Sequence, residues 1–404
     1  MDDINFSLQY QQRSILQKKI VSLQIDIAKY LTDKFKNPLL IAIEEGHFQI
    51  VQHLLKKDNV NVNSLITSRS NEEKSPLLLA AECGKTDILK YLIRSGALVN
   101  NYPPNVQSPL YAAVNHGYFH IVRHLIRKGA DINQVYYNSQ DPEQLSYTCL
   151  YIAANHGFGK IVRLLLSRGA KVDERYGTVR SPLFIASKNG HYSVVRCLIS
   201  YGATINIVYD GVFLRTALNA AISNGFYKVV KLLIQEGAEQ YCATSVPNRS
   251  WPISPVYLAA RHDRLCILKY LLENRCNNVN QQQYADISIT TFHVAVFSRS
   301  LHVVEYLISQ GADVNCINQY SSRWHEFPLL TAVGSGCNQM VRLLLVNGAN
   351  VNQVDKDRQS SLHLACKHNQ YETVKILIEF KADLNLRDGL GFTALDLARN
   401  FDIL

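Results

Sequence analysis

The chain has 404 residues, of which 47% are hydrophobic and 19% charged, and its formal net charge is +9. This length exceeds the usual size of one globular core, so it predicts either several domains or a one-dimensional array of repeats. No apolar stretch is long enough to cross a bilayer, and the start MDDINFSLQYQQ lacks the features of a secretory signal. We expect a cytoplasmic protein, with the nucleus as the alternative, and no membrane partner.

The positive charge does not by itself predict nucleic-acid binding. Many lysines and arginines, such as Arg127 and Lys128, lie at the end of an amphipathic segment, where they favour the negative end of a helix dipole. Interleaved aromatic residues and a continuous basic stripe are not evident. The nine cysteines include no Cys-x-x-Cys pair, which favours reduced thiols over disulfides or a zinc site.

Residues 1–36 form the first predicted element. Apolar residues recur there at intervals of three or four, which places them on one face of a helix: Leu16, Ile20, Leu23, Ile27 and Leu31. We predict an N-terminal capping helix that covers the apolar side of the element after it. A helix that pairs with another protein is the alternative.

The segment 108–133 shows the unit that follows. Ser108 can cap a helix, Pro109 suits the first helical position, and Gly117 can take the left-handed turn that ends it. A second apolar run at helical spacing stops at Gly129, before an extended tail. The unit is therefore predicted to be a helix, a tight turn, a second helix and an outgoing finger.

This unit recurs through the chain. Starts of the first helix can be followed at intervals of 33 to 40 residues, at Pro38, Pro76, Pro109, Cys149, Pro182, Ala217, Pro255, Thr291, Pro328, Ser361 and Ala394. The shortest interval is the bare unit, and the extra residues lengthen the fingers. We predict ten repeats over 37–386 and a partial eleventh over 387–404, which either caps the array or begins a further module.

Several motifs carry a resemblance to a known family. The period of 33, the Ser-Pro-Leu starts at 75, 108 and 181, His293 and His363 in the L/F-H-x-A form, and Gly-Ala-Asp-Val-Asn at 311–315 resemble ankyrin repeats. The resemblance implies an all-α repeat solenoid, with hairpin fingers and first helices that line a concave face. It also implies protein binding without catalysis or a cofactor, and asparagines open to hydroxylation: Asn133, Asn206, Asn315 and Asn352.

Some repeats lack the glycines of the pattern. Asp263 and Arg299 follow the first helices of repeats 7 and 8, and Arg275, Asn369 and Lys381 replace other glycines. A left-handed backbone is cheap for Gly, tolerable for Asp and costly for Arg, by about 1 kcal/mol or more. We therefore expect the junction of repeats 7 and 8 to be the weakest in the array, and repeat 10 to fray.

No catalytic motif is found. The chain lacks a G-x-x-x-x-G-K-[ST] loop, a G-x-S-x-G elbow and an H-E-x-x-H helix. His120 and His124 lie four residues apart, but a third metal ligand at useful spacing is missing. We expect neither an enzyme nor a metal site.

Two groups of residues are candidates for binding a partner. In the ankyrin register, the residues before the inter-helix turns face the concavity, and they include His116, Asn155, His156, Lys188, Arg261 and His262. Asn and His both donate and accept hydrogen bonds, which suits an extended peptide. The second group consists of aromatic residues in the fingers: Trp251, Trp324, Tyr136, Tyr137 and Tyr209. The alternatives are solvated polar positions and fingers that pack on one another.

The predicted function is a non-catalytic scaffold, itself a monomer, that binds an acidic or extended segment of another protein along repeats 3–8. The alternative is a substrate receptor of a cullin-type ubiquitin ligase, whose adaptor-docking box is not seen in residues 1–404.

Overall fold

The computed structural model describes residues 19, 38–57, 61–67, 73–100, 107–137, 146–174, 181–207, 216–239, 254–273, 282–284, 287–317 and 327–399. Apart from Lys19, the predicted capping segment 1–36 lies outside these residues, as does Arg275. The chain forms two compact blocks. The N-terminal block comprises 1–186 and 191–204, and the C-terminal block comprises 187–190 and 205–404.

Within the described residues, pairs of short antiparallel helices repeat along the chain, as an all-α repeat solenoid requires. The first helices begin at the predicted positions: Pro38–Glu45, Pro76–Glu82, Pro109–Asn115, Cys149–Asn155, Pro182–Lys188, Ala217–Asn224, Pro255–Arg261, Thr291–Phe297, Pro328–Gly334, Ser361–Lys367 and Ala394–Arg399. The second helices are Phe48–Lys57, Thr86–Arg94, Phe119–Arg127, Gly159–Ser167, Tyr192–Ser200, Tyr227–Gln235, Leu265–Glu273, Leu301–Ser309, Asn338–Val346 and Tyr371–Glu379. The predicted starts and the repeat register are confirmed.

A hydroxyl cap fixes the start of most first helices. The Ser108 Oγ accepts a hydrogen bond of 3.2 Å from the backbone N–H of Tyr111, and Pro109 follows as the first helical residue. Thr148 and Ser254 cap their helices in the same way, at 3.2 and 3.1 Å. Because such a cap satisfies an otherwise unpaired amide, it stabilises a helix by about 1 kcal/mol.

The second helices are amphipathic and bury one face. In repeat 3, Ile121, Val122 and Leu125 are at most 1% exposed, whereas Arg123 and Arg127 are exposed. Each buried aliphatic side chain contributes about 1.5–3 kcal/mol relative to leaving it in water. Because neighbouring repeats supply the other side of this core, a helix pair depends on its neighbours.

Among the described residues, three of the fingers form antiparallel hairpins. They pair Ile66–Thr67 with Glu73–Lys74, Val135–Tyr137 with Ser146–Thr148, and Gln282–Tyr284 with Ile287–Thr290. In the middle hairpin Tyr136 lies opposite Tyr147, and the second strand leads directly into the first helix of repeat 4.

Asparagine side chains join neighbouring repeats behind the second helices. The Asn100 Nδ2 donates to the carbonyl oxygen of Gly129 at 2.7 Å, and its Oδ1 accepts from the N–H of Asp131 at 2.9 Å. The same pair of bonds is made by Asn63, Asn133, Asn206 and Asn315. In each bridge the side-chain N–H donates and the side-chain oxygen accepts, so the bridge fixes the register between neighbouring repeats.

Candidate partner-binding site

The inter-helix turns of repeats 3 and 4 present a row of polar side chains in the N-terminal block. His116 and His156 follow the ends of their first helices and are exposed, while Asn115 and Asn155, the last residues of those helices, are half-buried. The His156 Nε2 lies 3.3 Å from the Asn115 Oδ1. We call His116, Asn155, His156 and Asn115 the turn row.

Aromatic residues hold the imidazoles of the turn row in place. The His116 ring stacks on Tyr118 at 5.8 Å between centroids and 21° between planes, and His156 stacks on Phe158 at 5.4 Å and 23°. A stacked ring has lost rotational freedom before any ligand arrives, so less entropy is lost on binding.

The supporting rings lie against the turn glycine of the preceding repeat. A Cβ built on Gly84 would lie 2.8 Å from the Tyr118 ring, and one on Gly117 would lie 2.8 Å from the Phe158 ring. Glycine is therefore needed at these turns for the close approach of the next repeat as well as for the positive φ, which is +75° at Gly117. At the same position as Phe158, the Nε2 of His191 lies 3.0 Å from the carbonyl oxygen of Asn155.

A second polar cluster lies at the turns of repeats 7 and 8, in the C-terminal block. Arg261 and His262 are exposed, and the next residue, Asp263, accepts from the His302 Nδ1 at 2.9 Å. The Arg264 Nη2 donates to the carbonyl oxygen of Ser223 at 3.0 Å. These contacts tie the turn of repeat 7 to both of its neighbours.

The pKa values of the two histidines in this cluster, His262 and His302, are shifted in opposite directions. Partial burial, together with the charges of Arg261 and Arg264, lowers the pKa of His262, so this imidazole is uncharged at neutral pH. The hydrogen bond to Asp263 and the charge of its carboxylate raise the pKa of His302. The cluster therefore presents an arginine and a neutral imidazole that can donate and accept hydrogen bonds.

The residues that replace glycine adopt the left-handed backbone that the pattern predicts. The φ angles are 53° at Asp263, 60° at Arg299, 56° at Asn369 and 64° at Lys381. Arg358 has a φ of 58° as well, in a finger turn for which the repeat pattern made no prediction.

Tyr136, one of the predicted finger aromatics, is buried, whereas the histidines of the turn row are exposed. Tyr136 is only 4% exposed, and its hydroxyl contacts the Ser108 Oγ and donates to the Gln134 Oε1 at 3.1 Å. Its ring lies 4.4 Å from that of Tyr111, and burial raises its pKa. The prediction that Tyr136 contacts a partner is therefore wrong, because this side chain fills the space between the finger and the helix start.

The other predicted residues have simpler outcomes. Lys188 is exposed at the end of its helix. Tyr137 lies in the strand Val135–Tyr137, but its side chain is outside the described part of the chain, as are the whole of Tyr209, Trp251 and Trp324.

Sequence reasoning missed the residues that support the turn row. Tyr118 and Phe158 directly follow a turn glycine, and Arg264 and His191 occupy the same position in their repeats. A large side chain that recurs one residue after the glycine was the available signal.

The described residues show neither a metal site nor a disulfide. They hold no group of three or more His, Cys, Asp or Glu side chains that could bind a metal ion, and the seven cysteines among them are not in disulfide bonds. Within the same ranges, each helix falls short of the length and apolar character that a bilayer span demands.

The chain belongs to the ankyrin repeat family. The family model of ankyrin repeats, which spans three copies, matches residues 6–102, 39–136, 96–176, 133–209, 150–245, 242–318 and 329–403. Membership implies a scaffold for interactions with other proteins. The first match begins at residue 6, within the segment predicted to be a capping helix.

Relatives share parts of this array. The B-cell lymphoma 3 protein homolog of Mus musculus is 32% identical over 146 residues, which is 36% of this chain and 32% of that protein. Ankyrin repeat protein FPV031 of fowlpox virus is 30% identical over 159 residues, 37% of this chain and 46% of the viral protein. Alpha-latrotoxin-Lg1a of Latrodectus geometricus is 25% identical over 179 residues, 36% of this chain and 13% of the toxin. The matches cover less than half of each relative.

Proposed function

We propose that the chain is a non-catalytic scaffold that binds an extended segment of another protein at its inter-helix turns. The observation that carries this proposal is the turn row, in which exposed imidazoles and neighbouring amides are held in position by aromatic stacking. A polypeptide backbone alternates N–H donors and C=O acceptors, and neutral His and Asn side chains can satisfy both. Pre-ordered groups of this kind bind without a large loss of side-chain entropy.

The cluster of repeats 7 and 8 supports an acidic character for the partner. Arg261 is exposed beside the neutral His262, and Arg264 is fixed by its bond to Ser223. A guanidinium group recognises carboxylates through paired hydrogen bonds, which a neutral segment would leave unused. We therefore propose that a segment bound at this cluster carries carboxylates.

Substitution of the turn row tests the proposal. Proximity labelling and affinity capture from cells, followed by mass spectrometry, should identify a partner with the unmodified chain and lose it with the variant His116→Ala/Asn155→Ala/His156→Ala. His120→Ala is the matched control, because this exposed imidazole lies in repeat 3 on the second helix, away from the turn. Circular dichroism should be the same for all three proteins. Equal capture by the triple variant would refute the turn row as the binding site.

A further inference from the structure

A row of cations runs across the second helices of the N-terminal block. The fifth residue of these helices in repeats 2–5 is in turn Lys90, Arg123, Arg163 and Arg196, which we call the basic stripe. The residue before each of them is fully buried, so the stripe faces solvent. Lys90 is half-buried and the three arginines are exposed. In the sequence these residues are 33 to 40 positions apart, which is why a stripe is not evident there.

Few anions balance the basic stripe. The segments 119–128, 159–168 and 192–200 together contain seven Lys and Arg residues and no Asp or Glu. The Oδ1 of the exposed Asp87 lies 3.3 Å from the Nζ of the half-buried Lys90. In the part of the chain that the structure describes, none of the three arginines takes part in an ion pair.

Lys90 of the basic stripe and three cations next to the stripe act on the imidazole of His124. The pKa of His124 is lowered first by partial burial and then by Lys128, Lys90, Arg127 and Arg94. Lys90 and Arg94 belong to repeat 2 and the other two cations to repeat 3, so adjacent helices bring like charges together. A surface with such uncompensated repulsion gains free energy when an anionic ligand covers it.

We propose that the basic stripe is a second docking surface, which binds an extended acidic segment of a partner protein. Packed helices lie about 8–10 Å apart, so the stripe offers one cation at about that interval. A polypeptide in the extended polyproline II conformation rises about 3.1 Å per residue with three residues per turn, so every third side chain lies on the same side and matches one helix. Three of the four cations are arginines, which bind carboxylates through paired hydrogen bonds. This surface lies on the second helices and is distinct from the turn row.

A nucleic acid fits the basic stripe less well. Each strand of a duplex carries a charge at every nucleotide, about every 3.4 Å along the axis, so a single row of cations about 8–10 Å apart would leave most phosphates unpaired, whereas a peptide can carry carboxylates only at the matching positions. Single strands also need aromatic side chains on which bases stack. The helix Gly159–Ser167, in the middle of the stripe, contains no aromatic residue.

Two labelled peptides test the spacing. One carries a glutamate at every third position, one for each cation of the stripe, and the other has the same composition with its glutamates adjacent. Fluorescence anisotropy should show tighter binding of the spaced peptide. Affinity should fall steeply from about 0.1 M to about 1 M salt, which shortens the Debye length from about 10 Å to about 3 Å.

Charge reversal locates the site. Arg123→Glu/Arg163→Glu/Arg196→Glu should weaken binding of the spaced peptide by roughly tenfold or more at low salt. The control Lys356→Glu/Lys367→Glu/Lys381→Glu makes the same change in net charge in the C-terminal block and should leave affinity nearly unchanged. The triple variant of the turn row should also bind the peptide normally.

Two other anionic ligands test whether the basic stripe prefers a nucleic acid or a membrane to an acidic peptide. A single-stranded RNA and vesicles rich in phosphatidylserine are titrated against the same proteins. Equal effects of the two triple reversals on the peptide would overturn the proposal. It would also be overturned if RNA or vesicles bound at least as tightly as the peptide and lost binding only with the arginine reversals.

Discussion

The turns of repeats 3 and 4 and those of repeats 7 and 8 share one backbone conformation but join the next repeat differently. At Gly117 the left-handed residue has no side chain, and the ring of Phe158 lies where a Cβ would be. At Asp263 the side chain itself accepts from the N–H of Val303 at 3.3 Å and from His302. Arg299 likewise donates to the carbonyl oxygen of Ser335 in the following repeat. A positive φ alone therefore does not require glycine, whereas a ring pressed onto the turn does.

The largest expected effect comes from adding a methyl group beneath such a ring. Gly117→Ala combines left-handed strain with a clash against Phe158, and we expect it to lower the free energy of unfolding by about 2–5 kcal/mol. Gly129→Ala is the matched control, because Gly129 has a φ of +85° and open space around it. This variant should lose only about 1–2 kcal/mol. Urea denaturation followed by circular dichroism measures both, and equal losses would show that the ring contact is unimportant.

The junction of repeats 7 and 8 should be the first part of the array to open. Left-handed strain costs about 1 kcal/mol or more at Arg299 and less at Asp263, and exposed polar contacts restore about 0–1 kcal/mol. We expect amide hydrogens in 261–300 to exchange roughly tenfold or more faster than those of repeats 3–5. Hydrogen exchange with mass spectrometry, or limited proteolysis, gives the answer. Uniform protection would mean that the side-chain contacts fully offset the strain.

Glycine substitutions separate the two left-handed residues of that junction. Arg299→Gly relieves strain at the loss of one exposed hydrogen bond, so it should stabilise the protein by about 0.5–1 kcal/mol. Asp263→Gly should not stabilise it, because Asp tolerates this conformation and caps the next helix through Val303. Thermal unfolding of both variants decides the matter. A gain from Asp263→Gly as large as that from Arg299→Gly would contradict the capping role.

The smallest expected effect is a pH dependence of the Asp263–His302 contact. The pKa of His302 is raised above its usual value of 6.5 by its bond to Asp263. The contact is therefore fully present below pH 6.5 and is lost as the pH rises through the raised pKa. A proton NMR titration should place the pKa of His302 above that of the same imidazole in Asp263→Asn. No difference between the two proteins would show that the ion pair does not form in solution.

Local rules account for most of what the sequence predicted correctly. The helix starts follow from hydroxyl caps and N1 prolines, and the left-handed φ at Asp263, Arg299, Asn369 and Lys381 follows from their place in the repeat. These features depend on a few adjacent residues, which a sequence displays directly.

Contacts between repeats were harder to predict. The burial of Tyr136, the contacts of Tyr118 and Phe158 with the preceding turn glycines and the basic stripe all depend on which residues face each other across 28 to 41 positions of chain. Tyr136 is buried because its finger packs closely against the start of the first helix, and no local sequence pattern shows how closely a finger packs. Recurrence of a residue type at one position of each repeat, as with Tyr118 and Phe158, is the clue that can be used in other arrays.

The asparagine bridges make the repeats that carry them interchangeable at this joint. The side-chain Nδ2 of each asparagine donates to a glycine carbonyl oxygen of the next repeat, and its Oδ1 accepts from a backbone N–H of that repeat. The same two bonds recur at Asn63, Asn100 and Asn133. Duplication or loss of one whole repeat between these positions would recreate an identical connection. At Asp173 the carboxylate can only accept, from the N–H and hydroxyl of Thr204. A duplication that placed another repeat at this joint would leave a glycine carbonyl without its donor. The array is therefore lengthened more easily by duplication of the repeats that precede Asp173.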